Sequence, residues 1–131
     1  MRIKIACATD DEKKLSRDHF GSAKVYLIYE LDFETGQTSF LERIENTTEE
    51  ERGHGDPIKA KGVSGLMKGM HVLVGLTMGP NIARIRKNFV PVISRKKDIK
   101  ETLKRLNKKL ANIKSEIAKV TGEDRAIIII K

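Results

Sequence analysis

Cysteine is nearly missing from this chain of 131 residues. Cys7 stands alone, so no disulfide closes within the chain, and no CxxC or Cys/His pair has the spacing of a zinc site. Any metal site must be gathered from residues distant in sequence. There is no Ser/His/Asp signature, no phosphate loop of the Walker type and no dinucleotide fingerprint, which leaves catalysis without a warrant. No apolar run approaches the roughly 18 residues that cross a bilayer, and the opening MRIKIACATDD turns acidic before a signal-peptide core develops. A cytoplasmic location with no membrane association is expected. The length suits one domain over residues 1–131, with a core that needs neither disulfide nor structural metal.

What is present in excess is positive charge, +8 in all. Up to Ser94 there are 14 basic and 13 acidic residues; from Arg95 onward there are 12 and 5. The excess is therefore C-terminal. Charged residues reach 34%, Lys, Glu and Ile are abundant and Trp is absent, a bias of proteins from hot surroundings, where ion-pair networks cost less to desolvate. An archaeal or thermophilic source is the expectation.

Arg2 to Thr9 alternates Ile3, Ile5 and Cys7 with Ala6 and Ala8, as a strand covered on both faces does. Lys24 to Leu31 and Thr38 to Ile44, with Thr35-Gly36 between them, read as a hairpin. Glu45 to Asp56 lacks apolar periodicity and reads as a mobile surface loop. Asp56-Pro57 opens a helix, with Ile58, Val63, Leu66 and Met67 as its buried stripe. His71 to Leu76 is a second buried strand; Pro80 starts a short helix and Pro91 to Ser94 a brief strand, an alternation that implies parallel pairing. Asp98 and Glu101 form a capping box for a long helix. Its apolar residues Ile99, Leu103, Leu106, Leu110, Ile113, Ile117 and Val120 recur as a heptad seam, which packs either against its own sheet or against a second copy in a homodimer. Thr121-Gly122 should end the helix, and Ala126 to Ile130 reads as an added strand or a docking segment.

Three stretches carry a family resemblance: Asp18-His19-Phe20-Gly21-Ser22-Ala23, Gly53-His54-Gly55, and Gly75-Leu76-Thr77-Met78-Gly79-Pro80-Asn81. In this order, after a strand beginning Ile3-Lys4-Ile5-Ala6, the chain resembles the dinitrogenase iron-molybdenum cofactor biosynthesis family, which includes NifX, NafY and the C-terminal part of NifB. The resemblance covers roughly residues 1–107, with 108–131 as an extension. It implies an α/β, ribonuclease H-like fold: a five-stranded mixed sheet with helices on both faces, followed here by the long helix and a terminal strand or tail. It also implies a non-enzymatic module that binds or carries an iron-sulfur or iron-molybdenum cluster and hands it to an apoprotein acceptor. Two departures stand out: Ile82 replaces the small residue usual after Gly-Pro-Asn, and the tail is basic.

His19, on a loop entering a strand, is the first candidate ligand, since imidazole suits a soft metal; the bland reading is that it orders its own turn. Phe20 should pack beneath that loop, and Gly21 should allow a sharp turn or close approach. His54, between two glycines, could swing onto a bound cluster, or it is simply solvated. The Gly75 to Asn81 segment, including Met78 and Gly79, ends a strand and starts a helix, so its amides and helix dipole should favour an anionic cluster. Met78 offers a thioether or a hydrophobic lid. Cys7 reads as a small core residue and His71 as structural. A nuclease needs carboxylates gathered around two metals about 4 Å apart, and Asp10 and Asp11 lack partners on the later strand. The rival reading is a nucleic-acid or acidic-partner adaptor using Lys97, Lys100, Lys104, Arg105, Lys108 and Lys109, although no aromatic accompanies them for base stacking.

Overall fold

The computed structural model describes residues 1–47, 65–119 and 124–131. His54, the expected loop from Thr48 to Asp56, the helix start at Asp56-Pro57 with Ile58 and Val63, and Val120 with the helix end at Thr121-Gly122 lie outside the described residues. The strands are β1 (Arg2–Thr9), β2 (Val25–Asp32), β3 (Thr38–Glu45), β4 (Val72–Gly75), β5 (Val90–Ser94) and β6 (Ile128–Ile130). The helices are α1 (Ile82–Asn88), α2 (Ile99–Leu106) and α3 (Leu110–Ile117).

The strands form one mixed sheet in the order β3-β2-β1-β4-β5-β6. β1 pairs antiparallel with β2 and parallel with β4, and β5 and β6 continue the parallel half. The described sheet has six strands where the resemblance implied five, because the terminal segment is the strand and not the tail of the two readings: Ile128 to Ile130 pair in register with Val92 to Ser94. The β2–β3 hairpin forms as its turn chemistry predicts. Gly36 takes φ 73°, and its amide donates to the Asp32 carbonyl at 2.7 Å.

Alternation along the central strands divides the core into two faces. Ile3, Ile5, Cys7, Val72, Val74, Val92, Ile128 and Ile130 pack with Ile99, Leu103, Leu106 and Ile113 of α2 and α3 on one side. Ala6, Ala8, Tyr26, Ile28 and Leu73 pack with Phe20, Met67, Met78, Ile85 and Phe89 on the other. Helices thus cover both faces. The heptad seam is taken up by the chain's own sheet, where Leu106 and Ile113 are fully buried, each such side chain contributing about 1.5–3 kcal/mol.

Two local expectations are corrected. The long helix is not continuous: Asn107–Lys109 form a 3-10 turn, and Lys109 at φ −115°, ψ 16° leaves the α region. This break lies where the hairpin turn meets the helix, with a Cβ at Gly36 coming 3.2 Å from Asn107 Oδ1. The capping box is only half made. Asp98 accepts from the Lys100 amide, but Glu101 turns to Arg105 at 2.8 Å instead of reaching back.

The tail is anchored by a residue the sequence pattern does not single out. Arg125 is 7% exposed, and its guanidinium donates to the carbonyls of Glu116 and Lys119 at the end of α3 and of Arg86 and Lys87 at the end of α1. A cation at two helix C-termini bonds the last-turn carbonyls, where the usual helical partners run out. Arg125→Met should lower stability by about 2–3 kcal/mol, the scale of charge-assisted hydrogen bonds lost together with exposed carbonyls. Urea unfolding with an unchanged slope checks this; a midpoint equal to wild type would contradict it.

Candidate functional site

The expected site residues come from two segments far apart in sequence. The first enters β2 through the 3-10 turn Phe20–Ser22, with His19 at its N-cap. The second is the loop leaving β4 at Gly75 and reaching α1 through Asn81. The Phe20 amide donates to the Thr77 carbonyl at 2.9 Å, so the two segments are joined through the main chain.

Gly79 makes the closest approach between them. Its φ of 77° lies in the left-handed region, where a Cβ is strained. A Cβ built there would stand 2.6 Å from Cγ and 2.7 Å from Nδ1 of His19. The imidazole thus lies directly over the Gly79 backbone, and it is half-buried. Below it Phe20 is fully buried and Met78 is 3% exposed. A Cβ on Gly75 would touch Phe20 Cδ2 at 3.6 Å and Met78 Cε at 3.8 Å. Met78 is a hydrophobic plug in this packing, and its thioether is not presented at the surface.

The remaining predicted residues play smaller parts. Gly21 lies inside the 3-10 turn without a left-handed φ, so this turn does not draw on glycine's conformational freedom. Its carbonyl instead accepts from Asn46 Nδ2 at 2.9 Å. Asn81 occupies the N-cap of α1 without a side-chain cap, its carbonyl accepting from Arg84 and Ile85. Since α1 has seven residues and the Gly79 amide leans on Thr77 Oγ1, the helix dipole and ring of amides expected here are weaker than the sequence implies. His71 stands at the opposite end of β4, where its Nδ1 accepts from the Lys4 amide at 3.1 Å. Burial, then the Lys4 charge, holds its pKa below the usual imidazole value. Cys7 is fully buried and its thiol is pushed up to about 12 by desolvation, so it offers no thiolate.

Tyr26 and Asn46, which sequence reasoning passed over, hold the His19 loop from behind. The Tyr26 hydroxyl donates to the Phe20 carbonyl at 2.8 Å, and its ring lies 4.9 Å from that of Phe20. Burial raises the phenol's pKa, which keeps this donor protonated. Asn46 Nδ2 donates to the Ala23 carbonyl at 2.8 Å as well as to Gly21. The only available signal was that Asn46 directly follows a strand.

An open cleft of about 540 Å³ lies beside this loop, lined by Asp10, Asp18, Lys14, Arg17 and Lys97 among others. Its acids are partly committed. Asp10 accepts from the Lys24 amide and Ser16 Oγ, and Asp11 accepts from the amides of Lys14 and Lys13, which lower its pKa. Among the described residues no three His, Cys, Asp or Glu side chains gather to hold a metal, and no helix is long and apolar enough to cross a membrane.

The profile of the family described as dinitrogenase iron-molybdenum cofactor matches residues 1–109. An NMR structure of a NifB-like protein from Thermotoga is similar at 21% identity, with 81% of this chain and 88% of that chain covered and a TM-score of 0.55. At that identity the likeness shows the fold alone. No curated protein matches.

Gly79→Ala should cost about 1–3 kcal/mol from backbone strain and also displace the imidazole. His19→Ala in that background should restore only part of the loss, because the His19 Cβ itself lies 2.9 Å from the added atom. Thermal unfolding of the two single variants and the double variant measures this coupling. Strict additivity would show that the two segments are not in contact.

Proposed function

The chain belongs to the dinitrogenase iron-molybdenum cofactor family, and we propose that it is a non-enzymatic carrier on which an iron-sulfur or iron-molybdenum cluster rides as cargo, docked by His19 over the Gly75 to Asn81 loop, and passes to an apoprotein. The observation that carries this reading is the seating of the imidazole on Gly79. It joins two motifs about sixty residues apart, with the His19 residue only half-buried there.

The donor set fits a cargo better than a resident metal. Among the described residues, one imidazole stands at this surface, the thiol of Cys7 is buried and the Met78 thioether faces the core. One or two imidazole ligands hold an inorganic group loosely enough to release it, whereas resident zinc or iron-sulfur sites use three or four. The adjoining cleft sets Lys14, Arg17 and Lys97 against Asp10, Asp11 and Asp18, so its lining carries no net charge and the docking rests on the imidazole. His54 is proposed as a second ligand, and Phe20, Gly75, Met78, Gly79 and Asn81 as the bed beneath the cargo. The order of the first five strands, with β1 central between an antiparallel hairpin and parallel β4 and β5, supports a ribonuclease H-like reading of the fold. The basic faces of α2 and α3 carry no aromatic side chain, and nothing favours nucleic acid there.

Anaerobic incubation with iron and sulfide, followed by desalting, metal analysis and absorption spectra, tests the reading. Wild type should retain iron with sulfide-to-iron charge-transfer bands, and His19→Ala should retain at most about a tenth as much, the loss of one ligand being worth at least 1.4 kcal/mol. Equal loading of the variant, or no loading of wild type, would overturn it.

A further inference from the structure

β6 is the rim of the sheet, and no described strand pairs with its outer side. The Arg95 amide donates to the Ile130 carbonyl at 2.7 Å, and Ile128 to Ile130 are in register with Val92 to Ser94. In a parallel ladder, alternate residues turn both main-chain groups to the same neighbour. Ile128 and Ile130 face β5 in this way, so the N–H and C=O of Ile129 point outward. An outward edge of this kind is a template for a further strand.

Two cavities of about 260 Å³ and about 270 Å³ run between β6 and the α2–α3 helical segment, and Lys109, Ile129 and Lys131 line both. Shared walls make them one groove along the edge. Arg105 and Lys108 add to its charge, and Glu116 is its one acid. Glu116 is already committed to Lys119 at 2.7 Å and to the Ala126 amide at 2.6 Å. Arg105 is offset by Glu101 at 2.8 Å. Lys108, Lys109 and Lys131 are exposed and form no ion pair among the described residues.

We propose that the outer edge of β6 is a docking edge for an extended acidic segment of a partner protein, which adds a strand beside Ile129 while its carboxylates meet Lys108, Lys109 and Lys131. Charge selects this occupant. A second copy pairing edge to edge would bring the same lysines together, and like charges facing one another across a strand pair are destabilising. An acidic chain turns the same cations into an attraction that speeds and orients encounter. The proposal is independent of the His19 site.

The probe is a fluorescein-labelled octapeptide of alternating Glu and Val, compared with its Lys-Val counterpart by anisotropy at low salt. The Glu-Val peptide should bind at least tenfold more tightly, and its affinity should fall as salt rises. Ile129→Pro removes the outward N–H while sparing the inward ladder, a place where edge strands tolerate proline; it should weaken binding at least tenfold. Lys108→Glu with Lys109→Glu should reverse the preference, and that variant decides the matter if the proline variant fails to fold. Equal binding of both peptides would overturn the proposal. So would unchanged binding by both variants, tighter binding of a single-stranded oligonucleotide that ignores Ile129→Pro, or a dimer that the proline dissolves.

Discussion

The site depends on the absence of one atom. Where any residue but glycine stood at position 79, its Cβ would lie 2.6 Å from the His19 ring, and the left-handed backbone would be strained as well. Glycine lets the imidazole settle onto the loop that leaves β4. The Phe20 to Thr77 hydrogen bond then fixes the register of the two segments. Tyr26 and Asn46 hold the carbonyls of Phe20, Gly21 and Ala23 from the far side. A ring braced on both sides loses little entropy when it takes up a ligand, which is how preorganisation contributes to binding.

Beyond the residues matched by the family, the chain adds α3 and β6. They extend the sheet and its helical cover, and the segment between them is tied to the helix that leaves the site loop. Arg125 gathers carbonyls from the end of α1 and the end of α3, and Arg86 returns a hydrogen bond to the Arg125 carbonyl. Asn81 at one end of α1 belongs to the site, and Arg86 and Lys87 at the other end are tied to the tail. The basic excess from Arg95 onward thus includes one buried guanidinium that is structural and exposed lysines around the sheet edge.

Much of this was legible because it follows from local rules. Period-two alternation placed Ile5 and Cys7 opposite Ala6 and Ala8, and the two core faces follow that division. The heptad seam correctly located a buried stripe, yet spacing alone does not distinguish a partner chain from the chain's own sheet. The 3-10 break at Asn107–Lys109 escaped because the apolar spacing runs through it unchanged, and the Gly36 turn that lies beside Asn107 is remote in sequence. Arg125 escaped for a similar reason, since a lone arginine near a chain end looks solvated until two helix ends converge on it. The glycines at 75 and 79 were conspicuous in the sequence; that position 79 makes room for an imidazole is a fact of three dimensions.

The central claim is that His19 gives its nitrogen to an inorganic guest. Pulsed electron paramagnetic resonance on the reduced, iron-loaded protein reads that bond directly through the hyperfine coupling of the ligating nitrogen. The account predicts an imidazole nitrogen coupling in wild type that is weakened in His19→Ala, where His54 alone can supply a nitrogen to the residual iron. Identical nitrogen modulation in the two proteins would contradict it.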